Sequence, residues 1–304
     1  MNQIVRITIG LTISCLIAAT LMGSVFVFTA KAKKHNEHMN QQRTMLSLLG
    51  YPSAKAAPPD LKLYSIYRYI LEGRENKYLG YLIPVSQQEK LGYKLLVLSL
   101  DGKFVALHQL GITPEKVIEG TERESALKEV LKAPESFTYA DEVVVAKRGG
   151  KRIAYLLPGE FQGFKTFVHV MLAIDPSFKI LGLEIMEHEE DPGLGGEITQ
   201  DYFKNQFRNK NFEKLGDLKV TKEPLPEEYK KVLEARTKVK GALSKEEIES
   251  IRSKYQNQDI YAITGATISS KAVTDGVKNM VKKFARRVET LDGVINNQKV
   301  PAVF

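Results

Sequence analysis

The sequence predicts an α+β fold: an N-terminal transmembrane helix, then antiparallel β-layers carrying an internal repeat and packed with helices. Three observations predict it. From Ile7 to Ala30 run 24 residues without a charge. Shifting the chain by 74 residues aligns Tyr69–Leu107 with Val143–Leu181 without a gap and with ten identities. Capping signals place helices between and after the strand-like stretches.

The apolar run is long enough, at about 1.5 Å per residue, to cross a hydrocarbon core of roughly 30 Å. A cleaved signal peptide fits less well, because its apolar region is usually about 7–15 residues and no small-x-small site precedes Lys31–Lys34. A lipoprotein reading of Ile13-Ser14-Cys15 is weaker still: Thr12 is a poor residue there, and the apolar run continues past Cys15. Residues 31–60 form a juxtamembrane segment. In it, His35–Gly50 continues as a short helix that turns apolar at Met45, Leu46, Leu48 and Leu49. Pro52, Pro58 and Pro59 make Tyr51–Asp60 a linker.

The repeat divides the remainder into a first copy, 61–141, a second unit, 142–288, and a tail, 289–304. Identities fall at Arg74/Arg148, Lys77/Lys151, Tyr81/Tyr155, Leu82/Leu156, Pro84/Pro158, Gln88/Gln162, Leu98/Leu172, Asp101/Asp175, Phe104/Phe178 and Leu107/Leu181. Each copy reads as strand, turn, a strand ending Tyr-Leu-x-Pro, a loop, then two strands around an Asp-led turn. The alternative is two β-meanders sharing a pattern by accident. Among the helices, Thr121-x-x-Glu124 opens Glu122–Lys132, which Pro134 ends, and Ser244-x-x-Glu247 opens a helix to about Tyr255. Thr199 caps Gln200–Lys210, and Pro226 sits in the first turn of Glu227–Lys238. The last helix, Ser270–Val288, carries Val273, Val277, Met280, Val281, Phe284 and Val288 at helical spacing.

Composition excludes several functions. A hydrophobic content of 43% excludes a mainly disordered chain. A single cysteine, Cys15, excludes an intramolecular disulfide, a Cys-ligated iron–sulfur cluster and a Cys-rich zinc module. The net charge of +8 would suit nucleic acid, an anionic membrane or an anionic ligand. Tyrosines cluster in Tyr64–Tyr93 while lysines spread over several helices, so no face interleaves the two as a nucleic-acid binder does. His35-x-x-His38 offers only two ligands on a polar stretch, which is a solvated pair rather than a metal site.

Two segments carry chemistry. His188-Glu189-Glu190-Asp191-Pro192-Gly193-Leu194-Gly195-Gly196 is a tight loop whose backbone N–H groups can approach an anion or a flat ring. Read blandly, it is a turn leaving a strand. Thr264-Gly265-Ala266-Thr267-Ile268-Ser269-Ser270 lies between strand-like Ile260–Ile263 and the last helix, where a helix N-terminus and hydroxyls favour a phosphate. Read blandly, it is a cluster of capping hydroxyls.

In order, spacing and residues the two segments resemble the FMN-binding domain of membrane-anchored flavoprotein subunits: the G subunit of Rnf electron-transport complexes and the C subunit of the sodium-translocating NADH:quinone reductase. That family has one N-terminal membrane helix, a His-x-Glu-Thr-Pro-Gly-Leu-Gly loop and a Ser/Thr-Gly-Ala-Thr signature. The resemblance covers the anchor and roughly Glu142–Val288. It implies FMN as cofactor, esterified through its phosphate to Thr267 by a separate flavin transferase. Thr264, Gly265, Ala266, Ile268 and Ser269 would then shape the phosphate pocket, with His188, Glu190, Gly193, Leu194 and Gly195 near the ring.

The resemblance also implies an electron relay among other membrane subunits of an ion-translocating complex, in the inner membrane, with a cytoplasmic N-terminus and the flavin domain on the periplasmic or extracellular side. Such a redox subunit needs no acid–base constellation of its own. The positive-inside rule alone points the other way, since Lys31, Lys33 and Lys34 outnumber Arg6. The chain departs from the family pattern at Asp191, where Thr is usual, and at Tyr261, where the attachment motif has Asp. Non-covalent FMN is the fallback. The first copy lacks both segments and is expected to bind no flavin. Gly196-Glu197 leans toward the quinone-reductase type, the signature fits both, and a membrane-anchored FMN redox sensor is the further alternative.

Overall fold

In the computed structural model, residues 3–73, 76–87, 90–131, 136–234 and 244–304 are described, without the side chains of 27, 31, 34, 35 and 87. The Arg74 and Gln88 matches, the helix ends at Lys132–Pro134 and at Lys238, and the His35 side chain lie outside them. The chain forms two units, Met1–Ala56 and Ala57–Phe304.

The first unit is a helix, α1 (Gln3–Leu48), followed by a single 3₁₀ turn at Ala54–Ala56. Its 28-residue stretch Gln3–Ala30 is long and apolar enough to cross a membrane. Ile4, Leu11, Leu16, Leu21 and Phe28 all face outward from it. Its hydroxyls are satisfied within the helix: Thr8 donates to the Ile4 carbonyl at 2.9 Å, Thr20 to Leu16 at 2.8 Å and Thr29 to Val25 at 2.7 Å. Backbone-directed bonds of this kind are what polar side chains need in a medium without water.

The second unit is built on an eight-stranded antiparallel sheet of order β4-β3-β2-β1-β5-β6-β7-β8. The first meander comprises β1 (Lys62–Glu72), β2 (Lys77–Gln87), β3 (Lys90–Ser99) and β4 (Phe104–Leu110). The helix α2 (Gly120–Val130) leads to the second: β5 (Ser136–Arg148), β6 (Lys151–Gln162), β7 (Phe167–Ile174) and β8 (Ile180–Glu187). The leading strands of the two copies pair with each other, from Lys62↔Lys147 to Glu72↔Ser136, so the copies share one sheet. Asp141 fastens this seam. It accepts from Arg68 Nε at 2.8 Å on the neighbouring strand and from Arg287 at 2.7 Å on the last helix.

The gap-free spacing of 74 is corrected by the turns. In the first hairpin Glu72 pairs with Lys77, whereas in its counterpart Arg148 pairs with Lys151, two residues closer in sequence. In the β3–β4 turn Ser99 N donates to the Lys103 carbonyl and Gly102 has φ +83°; the matching turn has Asp175 N on Lys179 and Phe178 at φ +63°. By its hydrogen bonds, Ser99 therefore corresponds to Asp175, a spacing of 76. The Asp101/Asp175 and Phe104/Phe178 identities are not structural equivalents.

Beyond β8 come α3 (Asp201–Lys204), α4 (Phe212–Leu215), β9 (Val220–Thr221), α5 (Glu227–Glu234), α6 (Lys245–Tyr255), β10 (Ile260–Tyr261) and α7 (Thr267–Asn297). The predicted helix Gln200–Lys210 is broken. Thr199 does not cap it but donates to the Gly196 carbonyl at 2.9 Å, and a 3₁₀ turn at Asn205–Phe207 follows α3. Tertiary contacts override the periodicity. Asn209 takes φ +65° so that its N–H reaches the Ile180 carbonyl at 2.8 Å, while the Lys210 carbonyl receives Ile180 N, which covers the edge of β8. The Thr121–Glu124 capping box also fails to form. The N-cap of α2 is Glu119, whose side chain makes no cap hydrogen bond to the helix. At α6 the Ser244–Glu247 box is present in both directions.

The last helix is longer than its sequence pattern suggests and organises the core. Val273, Val277, Val281, Phe284, Val288, Leu291 and Ile295 bury one continuous stripe against Tyr81, Ile83, Tyr155, Leu157, Val170 and Leu172 of both meanders. The tail is structural too. Val300 and Phe304 are buried, Ser86 N donates to the Pro301 carbonyl at 3.0 Å, and Arg152 holds Asp292 at 2.6 Å. Two glycines let α7 approach β6: a methyl at Gly276 would overlap the Phe161 ring, and one at Gly159 would meet Met280. On the opposite face of the first meander, α2 covers Tyr67, Tyr69, Tyr93 and Leu95. There the buried Arg123 donates to the Tyr69 hydroxyl at 2.9 Å and to two carbonyls, so its charge is held within the protein.

Candidate cofactor site

The site forms where the loop after β8 meets the start of α7. The approach to α7 is set by the short parallel pair β9–β10, with Ile260 opposite Val220 and Tyr261 opposite Thr221. The strand-like Ile260–Ile263 is thus a strand only over its first two residues. Gln206 reads the main chain of Tyr261, accepting from its N–H at 2.8 Å and donating to its carbonyl at 3.2 Å. The Tyr261 ring is buried against Tyr229 and Tyr255, and this burial pushes its hydroxyl pKa up. It therefore serves packing.

From β10 the chain turns through Gly265, at φ +80°, and enters α7 at Thr267. Ala266 N donates to the Ile263 carbonyl at 2.9 Å, closing the turn. The N-cap, Ala266, offers no side-chain cap. The hydroxyls that could cap are engaged elsewhere: Ser270, fully buried, accepts from Ile263 N at 3.0 Å and donates to the Ala266 carbonyl at 2.9 Å, and Ser269 donates to Glu190. The expectation of a capping cluster therefore fails. Among the described residues the first N–H groups of this 31-residue helix have no side-chain acceptor, beside a half-buried Thr267 and exposed Thr264 and Ile268. A helix start of this kind is an anion site by dipole and by unfilled donors.

The glycine loop closes over it. Gly193, at φ +72°, makes the turn, and Leu194 and Gly196 return their N–H groups to the Asp191 carbonyl at 3.2 and 2.9 Å. Leu194 then reaches Gly265, where an added Cβ would sit 3.0 Å from its Cδ2. Gly195 is packed on two side chains, because a Cβ there would lie 2.5 Å from Glu190 Oε2 and 2.8 Å from Ser269 Oγ. Glu190 N donates to His188 Nδ1 at 3.1 Å. The structure thus brings together Glu190, Leu194, Gly195, Gly265 and Ser269, with Ala266 and Thr267 at the helix start, while His188 stays on the inner side of its own loop and Thr264 and Ile268 face outward.

Sequence reading missed a third segment, the turn between β6 and β7. Glu190 Oε1 accepts from Phe164 N at 2.7 Å and Lys165 N at 3.1 Å, and Gly163 leaves room for that carboxylate. Lys165 Nζ pairs with Asp191 at 2.5 Å, which raises the Lys165 pKa above the usual lysine value. Asp191, at the position where Thr is usual, thereby gains a partner. On the three segments that meet here, Phe164 is 58%, Leu194 47% and Ile268 60% exposed. Only the Gly163-Phe164-Lys165 composition could have flagged the turn, and Ser270 was indistinguishable from its neighbours before its burial was known.

Residues 163–282 match the family model described as FMN-binding domain. Over 138 residues the chain is 30% identical to the G subunit of the proton-translocating ferredoxin:NAD(+) oxidoreductase complex of Clostridium ljungdahlii, covering 45% of this chain and 57% of that protein. It is 29% identical over 144 residues to the G subunit of the Na(+)-translocating ferredoxin:NAD(+) oxidoreductase complex of Acetobacterium woodii, covering 47% and 55%. The chain thus spans little more than half the length of these relatives. Among solved structures, the C subunit of the Na(+)-translocating NADH-quinone reductase of Parabacteroides distasonis matches with a TM-score of 0.31 at 23% identity, covering 47% of this chain and 60% of that one. An open helix start, a glycine loop exposed at Gly193 and Leu194 and exposed apolar side chains beside it suit FMN's phosphate and flat ring. Over residues 163–282 the chain therefore matches the FMN-binding domain model, it is similar to G subunits of ion-translocating oxidoreductase complexes, and its cofactor is FMN.

Proposed function

We propose that the chain is the flavoprotein subunit of a membrane-bound, ion-translocating electron-transport complex of the Rnf type, holding FMN esterified to Thr267 and relaying electrons among the cofactors of neighbouring subunits. The observation that carries this is the uncapped start of α7, with Thr267 as its first residue and the Leu194–Gly265 contact beside it. Bound FMN supplies one-electron redox chemistry. The chain's own residues have simpler tasks. Thr267 offers the hydroxyl for the phosphoester, and the N–H groups of the first turn of α7 neutralise the remaining phosphate charge. Gly193 gives the ring access to backbone, and Phe164, Leu194 and Ile268 would give it apolar cover.

A large apolar side chain left in water forgoes about 1.5–3 kcal/mol of burial. A flat aromatic ligand would cover three such side chains, Phe164, Leu194 and Ile268, exposed on the three segments that meet at the site. The apolar stretch of α1 would anchor this domain in the inner membrane, on the periplasmic or extracellular side, and a flavin transferase would attach the cofactor.

The test is co-expression with a flavin transferase, followed by in-gel fluorescence of the denatured protein. Flavin on the wild type and none on Thr267→Ala is the expected result; equal fluorescence in both, or none in either, overturns the ester. Isolation of the native membrane assembly separates the relay from a redox sensor, since only the relay co-purifies with integral-membrane redox subunits. A reporter fused after Val288 that is active only in the cytoplasm overturns the sidedness.

A further inference from the structure

Glu190 is a carboxylate that is only 5% exposed, and both its oxygens are engaged within the protein. Oε1 receives Phe164 N and Lys165 N from the β6–β7 turn, and Oε2 receives the Ser269 hydroxyl from the first turn of α7. Its own backbone belongs to the glycine loop, where Glu190 N is tied to His188 Nδ1. Three segments far apart in sequence therefore meet on one side chain. Each brings a different part of the opening: Phe164, the Leu194–Gly195 backbone, and Thr267 with Ile268. A carboxylate, which only accepts, matches three converging donors. Gly163 and Gly195 are the two glycines pressed against it, and any side chain at either would displace it.

We propose that Glu190 is the positioning residue of the cofactor site: a buried clamp that joins the glycine loop, the β6–β7 turn and the start of α7 into one cradle before the flavin arrives. This rests on the reading of Thr267 as the FMN attachment point. Glu190 acts through the groups it holds and not as a ligand of the ring, because it is buried and both its oxygens already receive donors of the protein. The exposed Lys165–Asp191 pair spans the same turn and loop but contributes little, being open to solvent. The clamp works by hydrogen-bond shape. Glutamine keeps it, with Oε1 on the two backbone N–H groups and Nε2 donating to Ser269 Oγ; alanine abolishes it.

The test uses the full chain in detergent as wild type, Glu190→Ala, Glu190→Gln and Ser269→Ala. After co-expression with a flavin transferase, Glu190→Ala should lose about tenfold or more of its attached flavin, the effect of a misplaced reacting group. Glu190→Gln should stay within about threefold of wild type with the same visible circular dichroism of the bound flavin, and Ser269→Ala, which loses one bond of three, should lie between them. Without flavin, hydrogen exchange of the Phe164 and Lys165 amides should accelerate about tenfold or more in Glu190→Ala and stay slow in Glu190→Gln.

Wild-type flavin content and wild-type dichroism in Glu190→Ala overturn the clamp, as does a Glu190→Gln protein as defective as the alanine variant. If Glu190→Ala does not fold, the Glu190→Gln and Ser269→Ala proteins decide by the same readouts. If wild type and Thr267→Ala bind flavin alike, the attachment reading fails instead, and amide exchange in the flavin-free chain alone upholds or overturns the clamp.

Discussion

Gly276→Ala separates two opposed effects at the interface that aims Thr267. Inside an exposed helix, alanine in place of glycine is favourable by about 1 kcal/mol. Gly276 is not in open space. A methyl group there would overlap the edge of the Phe161 ring on β6, with even the Cε1 atom only 2.6 Å away. Carbon atoms pack at about 3.5–4.0 Å, so the ring or the helix must shift by roughly 1 Å. The ring lies against α7 at Gly276 and is itself partly buried against the main core, so relief by rotation is limited. Overpacking of this kind costs about 1–3 kcal/mol, which leaves a net destabilisation of about 1 kcal/mol after the helix gain. For a unit of this size that is a fall of about 2–4 °C in melting temperature. Thermal unfolding of the full chain in detergent, followed by far-ultraviolet circular dichroism, measures it. The decisive comparison is the same substitution in a Phe161→Ala background: with the ring gone only the helix gain remains, and the sign should reverse to a stabilisation of about 1 kcal/mol. A stabilising Gly276→Ala in the wild-type background, or the same sign in both, would refute the reasoning.

Three further outcomes follow from named groups. Gly265→Ala must place a side chain at φ +80° against Leu194 and should cost about 1–2 kcal/mol while weakening flavin retention, read by melting temperature and bound flavin together. Lys210 is 2% exposed, with its ammonium on the Gln256 carbonyl at 2.9 Å and on the Gln258 carbonyl, and burial lowers its pKa from 10.5 to about 8. The unfolded chain then binds more protons than the folded one between about pH 8 and 10.5, so stability should rise with pH across that window by something of order 3 kcal/mol. Denaturant melts from pH 7.5 to 9.5 should show this slope in wild type and lose it in Lys210→Met; equal slopes would remove the assignment. At the sheet seam, burial pushes the Asp141 carboxyl pKa upward, but the bonds and charges of Arg68 and Arg287 outweigh it and hold it below the ordinary value. Its contribution is present above the unfolded pKa of about 4 and is lost as pH falls through the folded one. Asp141→Ala, which strands two guanidinium groups, should cost about 2 kcal/mol at neutral pH and flatten the acid limb of the stability curve, as measured by urea melts.

Much of the architecture was legible because it rests on local rules. The uncharged run Ile7–Ala30 announces a helix fit for lipid, the Ser244–Glu247 box starts α6 as read, and the valine stripe of α7 points at a core. The misses occur where distant contacts outbid local preference. Gln200–Lys210 has helical periodicity, yet Lys210 is drawn inward by carbonyls of residues 256 and 258, and Asn209 turns to cover the edge of β8. Thr121 and Glu124 have the spacing of a cap, but α2 starts one residue before that threonine. The repeat was visible through Tyr-Leu-x-Pro, while its true spacing was hidden by turns that differ in length between the copies.

By itself, the sequence determined that the chain has a helix long and apolar enough to cross a membrane, two β-meanders and a pair of segments suited to a phosphate and a flat ring. Residue type and short-range spacing suffice for these, since amphipathic period, glycine content and hydroxyl content act within a few residues of their origin. Only the tertiary structure decided that the two meanders share one sheet through β1 and β5, and that a single helix spans both. It also decided that Ser269 and Ser270 serve as internal struts and leave α7 uncapped. Those outcomes depend on which donors and acceptors meet across a hundred residues of chain. A hydroxyl beside a helix start looks the same in sequence whether it caps that helix or turns away to Glu190 and leaves the site open for an anion.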